Sequence, residues 1–316
     1  MHDAEHTFTR RPSRFAADEE ELLALFRAVA DADQNGIVVI PDDVRAEYVD
    51  DEPGWVRDHI VWEANGRLVA VSAVWHEVED VETRAYAHVD VHPDFRESAV
   101  EDEVAKALWA STAALVGRSV SVRLDARESQ TWKTAMLDRN GYVAERFYHR
   151  MSRDLTRPIT EPVVPTGYVI RPLIGDELPA WHATFDAGFA GHHDAPHYSP
   201  DDRRKRMDAP DYLPEADLVA IGMDGAIAGV AWSFREAMED GSARGWVHAI
   251  AVLPEHRGRG IAKALLLTSL QTLRGLGLDE SMLAVDAGNE TNALRLYEST
   301  GFERRQVSIV YLAEIA

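Results

Sequence analysis

The run Val252-Leu-Pro-Glu-His-Arg257-Gly258-Arg259-Gly260-Ile261-Ala262-Lys263-Ala-Leu265 limits what this chain can fold into more than any other stretch, because it joins a strand, a glycine turn and a helix with no residues to spare. Ala249 to Leu253 is a short apolar segment of strand type, Pro254 ends it, and from Ile261 the apolar positions recur at helical spacing through Ala264, Leu265 and Leu267. Gly258 and Gly260 lack a Cβ, so the backbone between the two elements can take unusual angles and approach a ligand closely. Its free N–H groups, with the positive end of the helix dipole, suit a pyrophosphate. The pattern is not a P-loop, which ends in Gly-Lys-Ser/Thr. Nor is it a dinucleotide turn, which needs G-x-G-x-x-G directly after the strand and an acidic residue about 20 positions on.

Downstream, Ser281 to Asp286 reads as a second buried strand, and Asn289-Glu-Thr-Asn-Ala293-Leu-Arg-Leu-Tyr297-Glu-Ser-Thr-Gly301-Phe302 reads as a capped helix closed by glycine. Arg257-x-x-Gly260-x-Ala262 fits the pattern R/Q-x-x-G-x-G/A, and with N…A-x-x-L-Y-x-x-x-G-F behind it the chain resembles the GCN5-related N-acetyltransferases over residues 167–316. The resemblance implies an α/β fold with a mixed, twisted sheet, of acyl-CoA N-acyltransferase type, whose two central strands splay to admit a pantetheine arm. It implies acetyl-CoA as co-substrate and no metal. Backbone groups of Ile250, Ala251 and Val252 would pair with the pantetheine, and the amides of Arg257, Gly258, Arg259, Gly260, Ile261, Ala262 and Lys263 would take the pyrophosphate.

By the same resemblance, Tyr297 holds the position of a general acid aimed at the thioester sulfur, and a phenol of pKa near 10 stays protonated at neutral pH. His248 stands where the serotonin N-acetyltransferases of that superfamily carry an active-site histidine, and an imidazole of pKa near 6.5 suits a proton acceptor, directly or through water. The plain structural alternatives are a half-buried aromatic at 297 and a histidine packed on a strand face at 248. Asn289 either bonds the cofactor or caps its helix. Asp286, at a strand end, reads as structural.

The chain also contains itself twice. Val91-His-Pro-Asp-Phe-Arg96 precedes Val252-Leu-Pro-Glu-His-Arg257 by nearly the same offset as Ser129–Gly141-Tyr142 precedes Asn289–Gly301-Phe302, and Asn65-Gly66 and Asp224-Gly225 read as matching two-residue hairpin turns. Two tandem domains are expected, 1–155 and 167–316, with the proline-containing 156–166 as linker. In the second, the expected order is strand 168–172, helices 177–190 and 200–208, strands 217–222, 226–234 and 245–253, helix 259–275, strand 281–286, helix 290–299 and a strand pair to 314. The first copy has Glu97, Ser98 and Ala99 in place of Gly258, Arg259 and Gly260, and Leu137 in place of Tyr297. It is expected to be a degenerate, structural copy that binds phosphate poorly.

Composition narrows the rest. With 54 acidic residues, 33 lysines and arginines and a net charge of −21, the chain is not suited to hold nucleic acid, which needs clustered positive charge. That surface suits a salt-rich cytoplasm, where self-repulsion is screened. Cysteine is absent, which removes disulfides, thiolate metal sites and a cysteine nucleophile. No apolar run is long enough to cross a membrane, and the start Met1-His-Asp-Ala-Glu-His has no leader character, so a cytoplasmic protein, monomer or homodimer, is expected. His192, His193, Asp194 and His197 invite a metal reading, but no second ligand cluster supports it, and the segment is better placed as a wall of the acceptor pocket. The expected activity is transfer of an acetyl group to a primary amine of a small molecule or peptide. Tandem chains with one degenerate half resemble the mycothiol synthases, which acetylate the cysteinyl amine of a sugar-linked thiol. A non-catalytic acetyl-CoA sensor is the reading from another class. The motifs are cofactor motifs, so acceptor identity is not written in them.

Overall fold

The computed structural model describes residues 8–34, 39–48, 55–77, 84–96, 99–116, 120–190, 192, 198–238, 240–288 and 293–315. The first half runs β1 (Thr9–Pro12), α1 (Phe15–Asp33), α2 (Pro41–Glu47), β2 (Trp55–Ala64), β3 (Arg67–Glu77), β4 (Arg84–Val91), α3 (Ala99–Val116), β5 (Val120–Arg127), α4 (Thr131–Arg139) and β6 (Val143–Asp154). The second half repeats that order as β7 (Val169–Pro172), α5 (Leu178–Phe189), α6 (Pro200–Met207), β8 (Tyr212–Ile221), β9 (Ile227–Ala237), β10 (Ala243–Val252), α7 (Ile261–Gly275), β11 (Glu280–Asp286), α8 (Ala293–Ser299) and β12 (Glu303–Ile315). The segment expected to be a strand pair up to 314 is the single strand β12, because nothing between Arg305 and Leu312 turns the chain.

Two compact units result: Met1–Tyr148 with Gln306–Ala316, which is discontinuous in sequence, and the continuous stretch His149–Arg305. In the first, the strands lie in the order β1-β2-β3-β4-β5-β12, and in the second β6-β11-β10-β9-β8-β7. β1–β2, β2–β3, β3–β4 and β5–β12 in the first unit and β7–β8, β8–β9 and β9–β10 in the second are antiparallel, whereas β4 with β5 and β10 with β11 are parallel. The linear division at 156–166 misses that each unit takes its last strand from the other repeat. Ser308–Ile315 of β12 pairs antiparallel with Val120–Arg127 of β5, burying Val307, Ile309, Tyr311 and Ala313 in the first core. In return, Met151 of β6, with Leu155 and Ile159 after it, lies in the second core beside Leu266, Leu270 and Leu273 of α7.

Local sequence explains the elements that frame the second unit. Helix α7 buries Ile261, Ala264, Leu265, Leu266, Leu267, Leu270 and Leu273, each leucine removed from water adding about 1.5–3 kcal/mol. Gly245 of β10 makes room for it, since a Cβ there would stand 2.7 Å from Leu273. On the opposite face α5 lays Leu178, Trp181 and Phe185 against Val230, Trp232, Ala249 and Ala251. The Asn65-Gly66 turn has φ of +53° and +75°, as a two-residue hairpin requires. Asp224-Gly225 does not match it: the strands are joined by the five residues Gly222–Ala226, because the Asp224 carboxylate accepts from the Ala226 amide at 3.0 Å and only Gly225 turns to positive φ. No helix among the described residues is long and apolar enough to cross a membrane.

The exchanged strands make a prediction. Met151, Leu155 and Ile159 together represent roughly 5–9 kcal/mol of burial, a large part of the 5–15 kcal/mol that usually holds a domain. A fragment of residues 167–316 lacks them and also strands Gln306–Ile315 without β5. It is expected to show no cooperative thermal transition by circular dichroism, where the full chain shows one.

Candidate active site

At the end of β10 the chain makes one 3-10 turn, Pro254–His256, and enters the glycine loop that leads into α7. Gly258 and Gly260 have φ of +73° and +88°, which side-chain-bearing residues rarely adopt, so both glycines are demanded by the backbone itself. The Arg257 guanidinium turns inward: Nε donates to the Val252 carbonyl at 3.1 Å and Nη2 to the Gly188 carbonyl at 2.8 Å. It clamps strand, loop and α5 together. Arg259 reaches the Tyr168 hydroxyl at 3.0 Å and the Glu255 carbonyl at 3.0 Å, and Tyr168 Oη lies 2.7 Å from His256 Nδ1. Ala264 makes the first bond of α7, to the Gly260 carbonyl, so the amides of Ile261, Ala262 and Lys263 have no acceptor among the described residues. No acidic side chain stands in the first turn of α7. An anion is favoured there by oriented amides and by the helix dipole.

The strand before the loop has an open flank. β10 and β11 pair only at Gly245 with Ser281 and Trp246 with Met282, and further along Ile250, Ala251 and Val252 bond to β9 on one side and to no residue of β11 on the other. An extended pantetheine can use those backbone groups as a strand would. A bulge between Val247 and Ala249 in the pairing with β9 sets the faces. His248 is the extra residue: Val247 packs toward α7, whereas Ala249 and Ala251 pack toward α5. Gly188 of α5 comes so close that a Cβ on it would meet that of Ala251 at 2.7 Å.

His248 lies in an aromatic cluster, its ring centroid 4.5 Å from that of Trp232, 5.8 Å from Phe234 and 5.9 Å from Tyr198. Its Nε2 is 2.6 Å from the Tyr198 hydroxyl. Burial, with Arg206 and Arg203 nearby, lowers the imidazole pKa to about 4, so it is neutral at pH 7. Those arginines belong to α6. Arg203 is wholly buried between the rings of Trp181 and Trp232 and pairs with buried Asp217, to which Tyr212 also donates at 2.7 Å. Arg206 lies over Phe234 and pairs with Asp211 at 2.5 Å. Tyr297 is half-buried on α8 against Phe302, with ring centroids 5.9 Å apart, and its hydroxyl has no hydrogen-bond partner among the described residues. Burial pushes that hydroxyl up to about 12, so it remains a proton donor at any physiological pH.

The corresponding parts of the first unit differ in their chemistry. Arg96 repeats the clamp, with Nε on the Val91 carbonyl at 3.2 Å, but its Nη1 meets the Asp33 carboxylate at 2.6 Å. Asp33 also accepts from Gln130 and Trp132, each at 3.1 Å. Beyond the last β4–β5 pair, Asp90 on β4 holds His88 at 2.9 Å, and buried Lys133 is surrounded by Asp90, Asp125 and Asp33, its ammonium pKa lowered by burial. Ala99 opens α3 without a positive φ, Glu101 and Asp102 stand in its first turn, and Leu137 is fully buried where Tyr297 is not. Glu97 and Ser98 lie outside the described residues, as do Asn289, His193, Asp194 and His197. Among the described residues no group of three or more acidic or histidine side chains is placed to hold a metal. Sequence reasoning missed Tyr198 and the inward role of Arg257. The former follows the histidine-rich stretch of sequence 192–197 and carries no motif of its own.

The depressed His248 pKa has a consequence for stability. In the unfolded chain its imidazole takes a proton near pH 6.5, whereas in the folded chain it refuses one until about 4. Stability therefore falls as pH drops through this window, by about 3 kcal/mol at pH 4 from this group. His248→Gln is expected to reduce the loss of stability between pH 6.5 and pH 4 by roughly that amount, read from urea unfolding at several pH values.

Three comparisons place the chain. Residues 181–302 match the model of the Acetyltransferase (GNAT) family. A mycothiol acetyltransferase of Thermobispora bispora is 36% identical over a stretch covering 54% of this chain and 58% of that protein. The mycothiol acetyltransferase of Streptomyces griseus subsp. griseus is 30% identical over 95% of this chain and 93% of its own length. In structure, a GCN5-related N-acetyltransferase from Sphaerobacter thermophilus superposes with a TM-score of 0.79 over 98% of this chain and 96% of its own, at 22% identity, and so shares the mixed α/β fold. GNAT acetyltransferases use acetyl-CoA and act on amine acceptors, and with relatives matched along nearly its whole length this chain belongs to the GNAT N-acetyltransferase family.

Proposed function

We propose that the unit His149–Arg305 binds acetyl-CoA and passes its acetyl group to a primary amine of a small molecule or peptide, and that the other unit binds none. The observation that carries this is the sequence of open strand flank, two left-handed glycines and free helix amides from Ile250 to Lys263. Val252 and its neighbours hold the pantetheine, and the amides of Arg257 to Lys263 hold the pyrophosphate. The thioester supplies an acetyl carbon open to direct attack. Tyr297, neutral and unpartnered, gives its proton to the departing sulfur, and the His248 side receives the proton that the amine releases.

The low basicity of His248 decides which form of the acceptor can react. An imidazole near 4 lies roughly 4 units below an α-ammonium of pKa 7.7–8.0, so taking its proton before attack would cost about 5 kcal/mol. As the nitrogen bonds to the acetyl carbon it gives up its lone pair and gains positive charge, and it holds its proton far more weakly once the carbonyl reforms with loss of the sulfur. The amine therefore enters neutral. A second reading, acetylation of the cysteinyl amine of a sugar-linked thiol, is favoured by the name shared by the relatives matched along most of the chain. It is a special case of the first, with an α-amine as acceptor.

Calorimetry with acetyl-CoA is expected to give one site per chain, and Gly260→Val to abolish it. Two sites, or heat that survives the substitution, would reject the assignment to one unit. Thiol release across an amine panel that includes a cysteinyl aminosugar is expected to show kcat/KM rising tenfold per pH unit below the amine's pKa, and Tyr297→Phe to lower kcat by about 10²-fold or more. Binding without turnover on any amine would favour an acetyl-CoA sensor.

A further inference from the structure

His248 and Tyr198 form a pair in which only one proton arrangement satisfies both groups well. A phenol O–H is a far stronger acid than a neutral imidazole N–H, so the short bond between Tyr198 Oη and His248 Nε2, at 2.6 Å, is an O–H donated to nitrogen. A neutral imidazole has one lone-pair nitrogen. With Nε2 engaged by the phenol, Nδ1 carries the ring proton, and no lone pair of His248 remains to meet an amine. Any proton that reaches His248 must cross the oxygen of Tyr198.

The surroundings hold this arrangement in place. The Tyr198 ring is set edge-on against Phe185 at 5.8 Å and Trp232 at 5.4 Å, and His248 is fixed by the bulge that makes it the unpaired residue of β10. The charged groups facing the pair are Arg203 and Arg206 of α6, which are paired with Asp217 of β8 and Asp211. Among the described interactions no carboxylate bonds to either ring, so none competes for the tyrosine proton.

We propose that Tyr198, and not His248, is the catalytic residue that touches the acceptor amine. This rests on the acetyltransferase reading of the same site. As the amine nitrogen bonds to the acetyl carbon, its N–H breaks and the proton goes to Tyr198 Oη, while the tyrosine's own proton passes to His248 Nε2. The phenol is unchanged at the end, His248 carries the proton, and it returns it to solvent.

The test combines a tautomer measurement with a mutant cycle. Long-range ¹H–¹⁵N NMR of histidine-labelled full-length protein is expected to show His248 as the Nδ1–H tautomer, which Tyr198→Phe relaxes to a mixture. Tyr198→Phe keeps the ring packing; acetyl-CoA affinity and melting temperature should stay near wild type while kcat falls about 10²-fold. Because the two groups act in series, His248→Gln should cost a similar factor and the double variant little more than either alone. An Nε2–H tautomer in the wild type, near-normal turnover of Tyr198→Phe, or losses that multiply in the double variant would each overturn the proposal alone. A wild-type protein inert toward every amine would overturn the acetyltransferase reading and the proposal with it.

Discussion

The guanidinium of Arg257 ties together the three parts that frame the glycine loop, the end of β10, the loop itself and α5. One side chain bonds the carbonyl that ends β10 and the carbonyl in the last turn of α5, and both bonds are charge-assisted. It fixes where the strand stops and how near α5 lies, at a distance that only glycine at 188 allows. It also fixes the direction in which the loop enters α7. A lysine could reach one carbonyl but not fork between two. The arginine of the R-x-x-G-x-A pattern therefore acts on the protein, and under the proposed reading anion recognition falls to the amides that follow it.

The same clamp in the first unit keeps the scaffold while the residues around it change. Arg96 still bonds the end of its strand, and Gly141, like Gly301, still closes a helix at positive φ with the next amide returned to the carbonyl four residues before the glycine. Where the second unit offers a backbone carbonyl to its arginine, the first offers Asp33, and that carboxylate gathers Gln130 and Trp132. With Lys133, Asp90 and His88 the result is a buried polar cluster. Such a network gives little stability over apolar packing, but once its members are satisfied it specifies one arrangement. An acidic first turn on α3 completes the change from a helix end that attracts anions to one that repels them.

Much of this was legible in the residues. Glycines flanked by an apolar strand and an apolar helix gave the loop, and the repeated glycine-aromatic helix ends gave the duplication, because both are backbone requirements that reduce to residue type. What the sequence hid depends on geometry between distant segments. The exchange of β6 and β12 follows from which sheet edge each strand meets, and the apolar pattern of Val307, Ile309, Tyr311 and Ala313 fits either sheet equally well. The bulge at His248 leaves no mark beyond one extra residue relative to β4. Asp224-Gly225 resembled a two-residue turn until the aspartate side chain took the amide that such a turn leaves exposed. Tyr198 became visible only when His248 placed a nitrogen beside it.

A last constraint links the proton chemistry to the acceptor. The imidazole is kept neutral by burial and by Arg203 and Arg206, and the phenol of Tyr297 is kept protonated by burial, so the groups that move protons under the proposed reading carry no charge at neutral pH although the chain as a whole bears −21. Bulk charge can draw a cationic amine toward the protein, but under the proposed reading the site uses it only after it has lost a proton. At pH 7 that loss costs an α-amine of pKa 7.7–8.0 about 1 kcal/mol and a lysine-type amine of pKa 10.4 about 5 kcal/mol. Under the proposed reading, the site therefore discriminates by about 4 kcal/mol in favour of α-amines before any contact with the rest of the acceptor is made. A strongly basic His248 would erase that preference, and the arginines of α6 prevent it.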